Sequence, residues 1–165
     1  MAWFQRELQL PEYARGVHPI THIVLDAVPE ISEIRMGLFH VFLKHTSAFL
    51  SINENAEPDE PGDMERLRDT LAAHNVSYRH ATEGPNDMPG HAKSALLGCS
   101  LMVPISDGRL CLGALQEICL CERRRRAGRR HLVVTIEGET RSPPPTVIHL
   151  PASQVPRAED AKETR

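Results

Sequence analysis

The sequence predicts a single domain of antiparallel strands with a few short helices, and three observations carry that expectation. The last third reads as strands joined by hairpins: Leu101 to Ile105, a turn at Ser106-Asp107-Gly108, Leu110 to Cys121, then Leu132 to Gly138. After Gly37, the residues Leu38, His40, Phe42 and Lys44 interleave with Phe39, Val41 and Leu43, the period-two signature of a strand. Every helical pattern in the chain is short. The length of 165 residues suits one domain, and 41% apolar with 25% charged residues argues against disorder of the whole chain.

In order, Trp3 to Leu10 form a first strand, stopped by Pro11, which cannot donate to a ladder. Ile20, Ile23, Val24, Ala27 and Val28 recur at helical spacing, with Thr21 as N-cap and Pro29 as the stop. The alternation from Leu38 continues as two consecutive strands, broken around His45 to Ser47. Met64, Leu67 and Leu71 share one face of a helix from about Pro61 to His74, capped by Asp63. A second short helix covers Met88 to Leu97, capped by Asn86 or Asp87 and ended by Gly98. The six arginines between Arg123 and Arg130 read as a solvated hairpin tip, with a phosphate-attracting patch as the sharper alternative. Residues 141–165, Pro-rich and then charged, are expected to form an extended or disordered tail.

Composition removes several function classes. A formal charge of -3 gives no global attraction to nucleic acid or anionic membranes, and the arginine run lacks interleaved aromatics. No apolar run approaches the ~20 residues of a membrane span, and the N-terminus lacks a basic-then-apolar leader pattern, so a cytoplasmic address is expected. Cys99, Cys111, Cys119 and Cys121 show no C-x-x-C spacing and are expected to be buried or half-buried small hydrophobes. There is no GxGxxG, Walker loop or G-x-S-x-G elbow.

Chemistry concentrates in two segments, His45 to Asn55 and His80 to Gly98, which are expected to meet in space. His45, His80 and His91 sit beside hydrogen-bonding residues rather than in apolar stripes. Three histidines with an open fourth position would make a catalytic zinc centre, although their spacing alone favours hydrogen-bonded or acid/base histidines. Lys93, near the start of a helix, suits an anion such as phosphate, with Thr46 and Ser47 adding hydroxyls. Asn53, Glu54 and Asn55 either orient a polar ligand or cap the following loop. Gln116 and Glu122, an even number of residues apart, share a strand face and need polar partners there, for which the histidine cluster is a candidate.

The ordered set HTSA at 45–48, INEN at 52–55, the block 80–98, GRLxLGxxQ ending at Gln116, and Glu122 resembles the YjbQ family from about Phe4 to Glu139. The resemblance implies an α+β fold, a two-layer, mainly antiparallel β-sandwich with a few short helices, as one domain over residues 1–140. It also implies a homotrimer and a secondary thiamine-phosphate synthase, which joins hydroxymethylpyrimidine diphosphate to thiazole phosphate with release of pyrophosphate. On that reading His45, His80 and His91 are the metal or anion ligands. Glu54, Asp87 and Lys93 are the catalytic candidates, while Thr46, Ser47, Asn53, Asn55, Lys93 and Gln116 bind substrate. A histidine-rich shell favours zinc, and Glu54 with Asp87 would hold magnesium. Leu115 and Glu117 depart from the family's usual Trp and Gly. A metal-assisted hydrolase, or a non-catalytic trimeric binder of a small anionic metabolite or metal, are the alternative readings.

Overall fold

Strict alternation builds the larger of two sheets. In β8 (His131–Thr140), Leu132, Val134, Ile136 and Gly138 are buried while the residues between them are half-buried, and β3 (Ile34–Leu43) buries Phe39, Val41 and Leu43 in the same way. The computed structural model describes residues 1–54, 62, 66–67, 69–70, 87–124 and 128–141. Its remaining elements are β1 (Ala2–Gln9), β2 (Gly16–Pro19), α1 (Thr21–Asp26), a 3-10 turn (Pro29–Glu33), β4 (Ala48–Glu54), α2 (Asp87–Leu97), β5 (Ser100–Ser106), β6 (Arg109–Leu110) and β7 (Gln116–Glu122). The larger sheet has the order β1-β8-β3-β5-β6 and the smaller β2-β7-β4, with every pair antiparallel.

Aliphatic side chains from both sheets and α1 meet in one cluster, including Leu50, Ile118 and Leu120 from the small sheet and Val24 from the helix. The fold is therefore an α+β sandwich. Burying such a cluster contributes about 25 cal/mol for each Å² of apolar surface removed from water. This accounts for a core with few aromatics.

Several sequence expectations need correction. The single strand expected over 110–121 is two, because β6 ends at Leu110 and β7 begins at Gln116 in the other sheet. Between them Gln116 turns back, its Oε1 accepting from Gly113 N at 2.8 Å. Thr21 does not cap α1: the cap is Ile20, and the Thr21 hydroxyl donates to the Glu117 carboxylate while accepting from Ile118 N at 2.9 Å. It ties the helix to β7 instead. Pro29 opens a 3-10 turn at its first positions, where a missing N–H costs nothing. Cys111 is exposed, unlike Cys119 and Cys121, which are buried, and Cys99, which is half-buried; all four thiols are free. The helix expected over 61–74 falls largely outside the described residues, and the tail 142–165 wholly so.

The arginine run is corrected at both ends. Arg123 is 4% and Arg130 3% exposed, held by carboxylates rather than solvated.

Candidate functional site

β3 ends at Leu43 and β4 starts at Ala48, so His45, Thr46 and Ser47 form the corner where the chain passes from the large sheet to the small one. α2 packs on this corner from the second segment. Gly90 is the point of approach, since a Cβ there would lie 3.4 Å from Ser47 O. The helix ends at Gly98, whose φ of +96° is a left-handed C-terminal position that glycine adopts without a Cβ penalty. The two chemistry-bearing segments thus do meet.

His91 Nδ1 bonds Thr46 O at 2.9 Å. A carbonyl only accepts, so this nitrogen carries the proton and Nε2 is the basic one. His45 has the opposite arrangement. Its Nδ1 accepts from Ser47 N at 3.0 Å, with Ser47 Oγ also 3.0 Å away. A backbone N–H only donates, so the neutral His45 ring holds its proton on Nε2.

Behind this corner lies a buried ion pair. Glu122 and Ser47 are fully buried and Arg130 nearly so. Arg130 Nε donates to Glu122 Oε2 at 2.7 Å, and its Nη2 donates to Glu122 Oε1 at 2.9 Å and to Ser47 Oγ at 3.1 Å. Two backbone groups, Arg123 N at 2.8 Å and Arg124 N at 2.9 Å, complete the shell of Glu122 Oε1. A charge removed from water is tolerated only with such full pairing.

A second ion cluster surrounds Asp69. Its carboxylate accepts from the fully buried Lys93 at 2.6 Å, from Arg15 at 2.7 Å and from Arg123. Among the described residues, Arg15, Lys93 and Arg123 pair with Asp69 and Arg130 pairs with Glu122, while Arg124 meets Glu122 through its backbone N–H. Burial, reinforced by Arg123 and Arg15, lowers the Lys93 pKa against the opposing hydrogen bond and charge of Asp69. In front of the corner, Phe42, Leu43, Lys44, His45, Thr46 and Cys99 line an open cleft of about 410 Å³.

The His45 pKa is lowered, first by burial and then by Arg130, Arg124 and His91, with Glu122 opposing. A folded-state value below the ordinary ~6.5 means that the unfolded chain takes up this proton first as pH falls. Stability carried by neutral His45 is then present above about pH 6.5 and lost below it, down through the folded pKa. We predict that His45→Gln reduces the loss of denaturation free energy between pH 7.5 and 5.0 relative to wild type; an unchanged loss would contradict the assignment.

The described sequence-predicted residues at the far end of β4 and at the start of β7 lie apart from the corner. Ala48 pairs with Glu122 and Glu54 with Gln116, so Glu54 and Gln116 sit six residues down the β4–β7 ladder from the corner. At ~3.3 Å per residue that is roughly 20 Å. Asn53 Oδ1 accepts from Ser51 Oγ at 2.7 Å, on the same strand. His80, Asn55 and the Asp87 side chain lie outside the described residues. Arg15 and Asp69 carry no signal in the sequence, and nothing in the run from Arg123 to Arg130 marks which of its members are buried.

For a metal, the donors fit only in part. His91, oriented by a backbone carbonyl, has the form of a ligand histidine. His45 does not, since its Nδ1 is engaged by Ser47 and its Nε2 bears the proton. Among the described residues no group of three or more His, Cys, Asp or Glu side chains is placed to hold a metal ion.

Residues 6–139 match the family model described as UPF0047 protein YjbQ-like. The chain is 43% identical over 137 residues to the UPF0047 protein YjbQ of Salmonella typhimurium and 40% identical over 137 to that of Escherichia coli O157:H7. Each alignment covers 83% of this chain and 99% of the relative. Among solved structures, an uncharacterised conserved protein of the YjbQ/UPF0047 family from Clostridium acetobutylicum is 31% identical with a TM-score of 0.65, covering 81% of this chain and 99% of that one. A YbjQ-like protein from Sulfolobus solfataricus shares the fold at a TM-score of 0.74 and 24% identity, covering 84% and 99%. On its sequence and its sandwich fold alike, this chain belongs to the YjbQ-like UPF0047 family.

Proposed function

We propose that the His45–Thr46–Ser47 corner binds a small phosphorylated or otherwise anionic metabolite, and that the protein acts on it as an enzyme. The observation that carries this reading is the convergence of buried cations behind a loop of hydrogen-bonding side chains that opens on a cleft. Fixed positive charge held away from water stabilises negative charge that develops on a leaving phosphate, and needs no reorganisation at the moment of reaction. Secondary thiamine-phosphate synthesis is the named version: a pyrophosphate leaves one substrate as the ring nitrogen of a thiazole phosphate replaces it. Lys93 and Arg123, buried and paired with Asp69, would then contribute positive charge from behind the corner, with Thr46 and the His45 N–H at the anion and Ser47 holding His45.

A second reading rests on His91. Its carbonyl-oriented ring suits a divalent metal, zinc by donor chemistry, and so a metal-assisted hydrolase, although Glu54 lies too far down the ladder to share that ion. A non-catalytic binder of the same anion would share the site without turnover. We further propose that the chain works as a homotrimer in the cytoplasm. Trp3 at 64% and Met102 at 61% exposure, with Leu38 and Phe42, form an apolar outer face on the large sheet that suits a subunit contact. Light scattering is expected to give three times the 18.4 kDa chain mass, and a single-chain mass would remove the trimer. No helix among the described residues is long and apolar enough to cross a membrane.

Calorimetric titration with inorganic pyrophosphate tests the anion site. Wild type is expected to bind with an affinity that falls with salt, and His45→Ala, which removes the Nε2–H donor, to weaken binding about tenfold or more, since a hydrogen bond to a charged group is worth roughly 1.5–3 kcal/mol. Absence of binding by wild type would sink the reading.

A further inference from the structure

We propose that His45 is locked as an Nε2–H donor facing the cleft, and that Ser47, Arg130 and Glu122 are the positioning residues that lock it. This deepens the anion-site reading and rests on it for its purpose, though not for its test.

The lock is a continuous chain of bonds. Glu122 takes both donors of the Arg130 fork, which fixes the guanidinium. The fixed Nη2 then donates to Ser47 Oγ at 3.1 Å. With its lone pair engaged, the Ser47 hydroxyl is oriented to give its proton to His45 Nδ1, at 3.0 Å. The Ser47 backbone N–H reaches the same nitrogen at 3.0 Å. Two donors on Nδ1 leave Nε2 as the only place for the proton of a neutral ring. The members behind the ring are buried, Glu122 and Ser47 at 0% and Arg130 at 3%, so water cannot substitute for a lost bond and each link polarises the next.

This arrangement specifies a ligand class. A ring that offers N–H donates to an oxyanion and has no lone pair for a metal on its cleft side. His45 therefore recognises phosphate oxygen, and any metal chemistry at the corner has to proceed without it. His91, whose Nδ1 carries the proton, is of the other type.

Long-range proton–nitrogen correlation spectra of the full chain, labelled with ¹⁵N-histidine, test this directly at a pH where the rings are neutral, with His45 assigned through His45→Gln. The expected result is a pyridine-type Nδ1 and a pyrrole-type Nε2 at His45 and the reverse at His91. Ser47→Ala keeps the backbone donor and removes the hydroxyl link, and Arg130→Lys keeps the charge and removes the fork. Each is expected to weaken the bonding to His45 Nδ1 and so to move its ¹⁵N resonance, while the Ser47 backbone N–H keeps the proton on Nε2 and the protein stays folded. Zinc chloride alone is expected to leave the His45 signals in place. A pyrrole-type Nδ1 in wild type, an unaltered His45 in both variants, or zinc-induced loss of the His45 nitrogen signals would overturn the proposal. Wild-type signals of the expected type that inorganic phosphate fails to move would uphold the lock and count against the anion-site reading alone.

Discussion

Arg130→Met is expected to cost the folded state about 3–5 kcal/mol, because it strands a carboxylate that has no access to water. Among the described residues, Glu122 is fully buried and receives two of its four hydrogen bonds from Arg130; the two that remain, from Arg123 N and Arg124 N, both fall on Oε1. The Oε2 atom would lose its Arg130 bond in the interior. Ser47 loses its guanidinium contact in the same step, so the corner loosens as stability falls. Urea denaturation of the variant should show a lower midpoint at an unchanged slope. Arg35→Met is the matched control. Arg35 pairs with Glu139, and both side chains are about half exposed, so its removal should cost no more than ~1 kcal/mol. Equal costs for the two variants would mean that the Glu122–Arg130 pair is solvated.

Gly138→Ala is the second large effect, and its cause is contact rather than backbone conformation. Gly138 faces Gly37 across the β3–β8 ladder, beside a register shift between Ile34 and Met36. An added Cβ would lie 2.6 Å from Met36 O, 2.7 Å from Ile34 Cγ2 and 2.9 Å from Gly37 Cα. Two of those three atoms are backbone in a central strand, so relief requires the strands to part. The expected loss is at the upper end of the ~1–3 kcal/mol of overpacking, or beyond it. At the exposed Gly128, where an added Cβ meets nothing within 4 Å, the same change should stay within about ±0.5 kcal/mol. A Gly138→Ala protein as stable as Gly128→Ala would contradict the tight strand approach.

These two sites show what was legible in the sequence. Alternation located β1, β3, β5 and β8, because half-buried strands write their period directly into residue choice. β2, four residues ending in Pro19, is too short to carry a period. The break between β6 and β7 was hidden because both pieces are apolar, and apolarity does not say which sheet a strand joins. Gly37 read as a strand boundary, whereas it lies inside β3 to let β8 approach.

The candidate site was half legible. The histidine, hydroxyl and lysine content of 45–47 and 91–93 marked the segments that converge. Glu54 was grouped with them on residue type, and Gln116 on the strand face it shares with Glu122. A shared face does not mean a shared end, and six residues of strand separate them from the corner. The buried arginines were illegible for a different reason. Whether Arg130 is solvated or paired depends on Glu122, eight residues away, and Arg123 depends on Asp69, 54 residues away. Only the folded chain brings those carboxylates in.

The most direct test of the central claim is turnover. Purified full chain, supplied with hydroxymethylpyrimidine diphosphate, thiazole phosphate and magnesium, is expected to release pyrophosphate, and His91→Ala is expected to abolish the release while remaining folded. Release that persists undiminished in His45→Ala and His91→Ala would show that the corner is not the site of reaction.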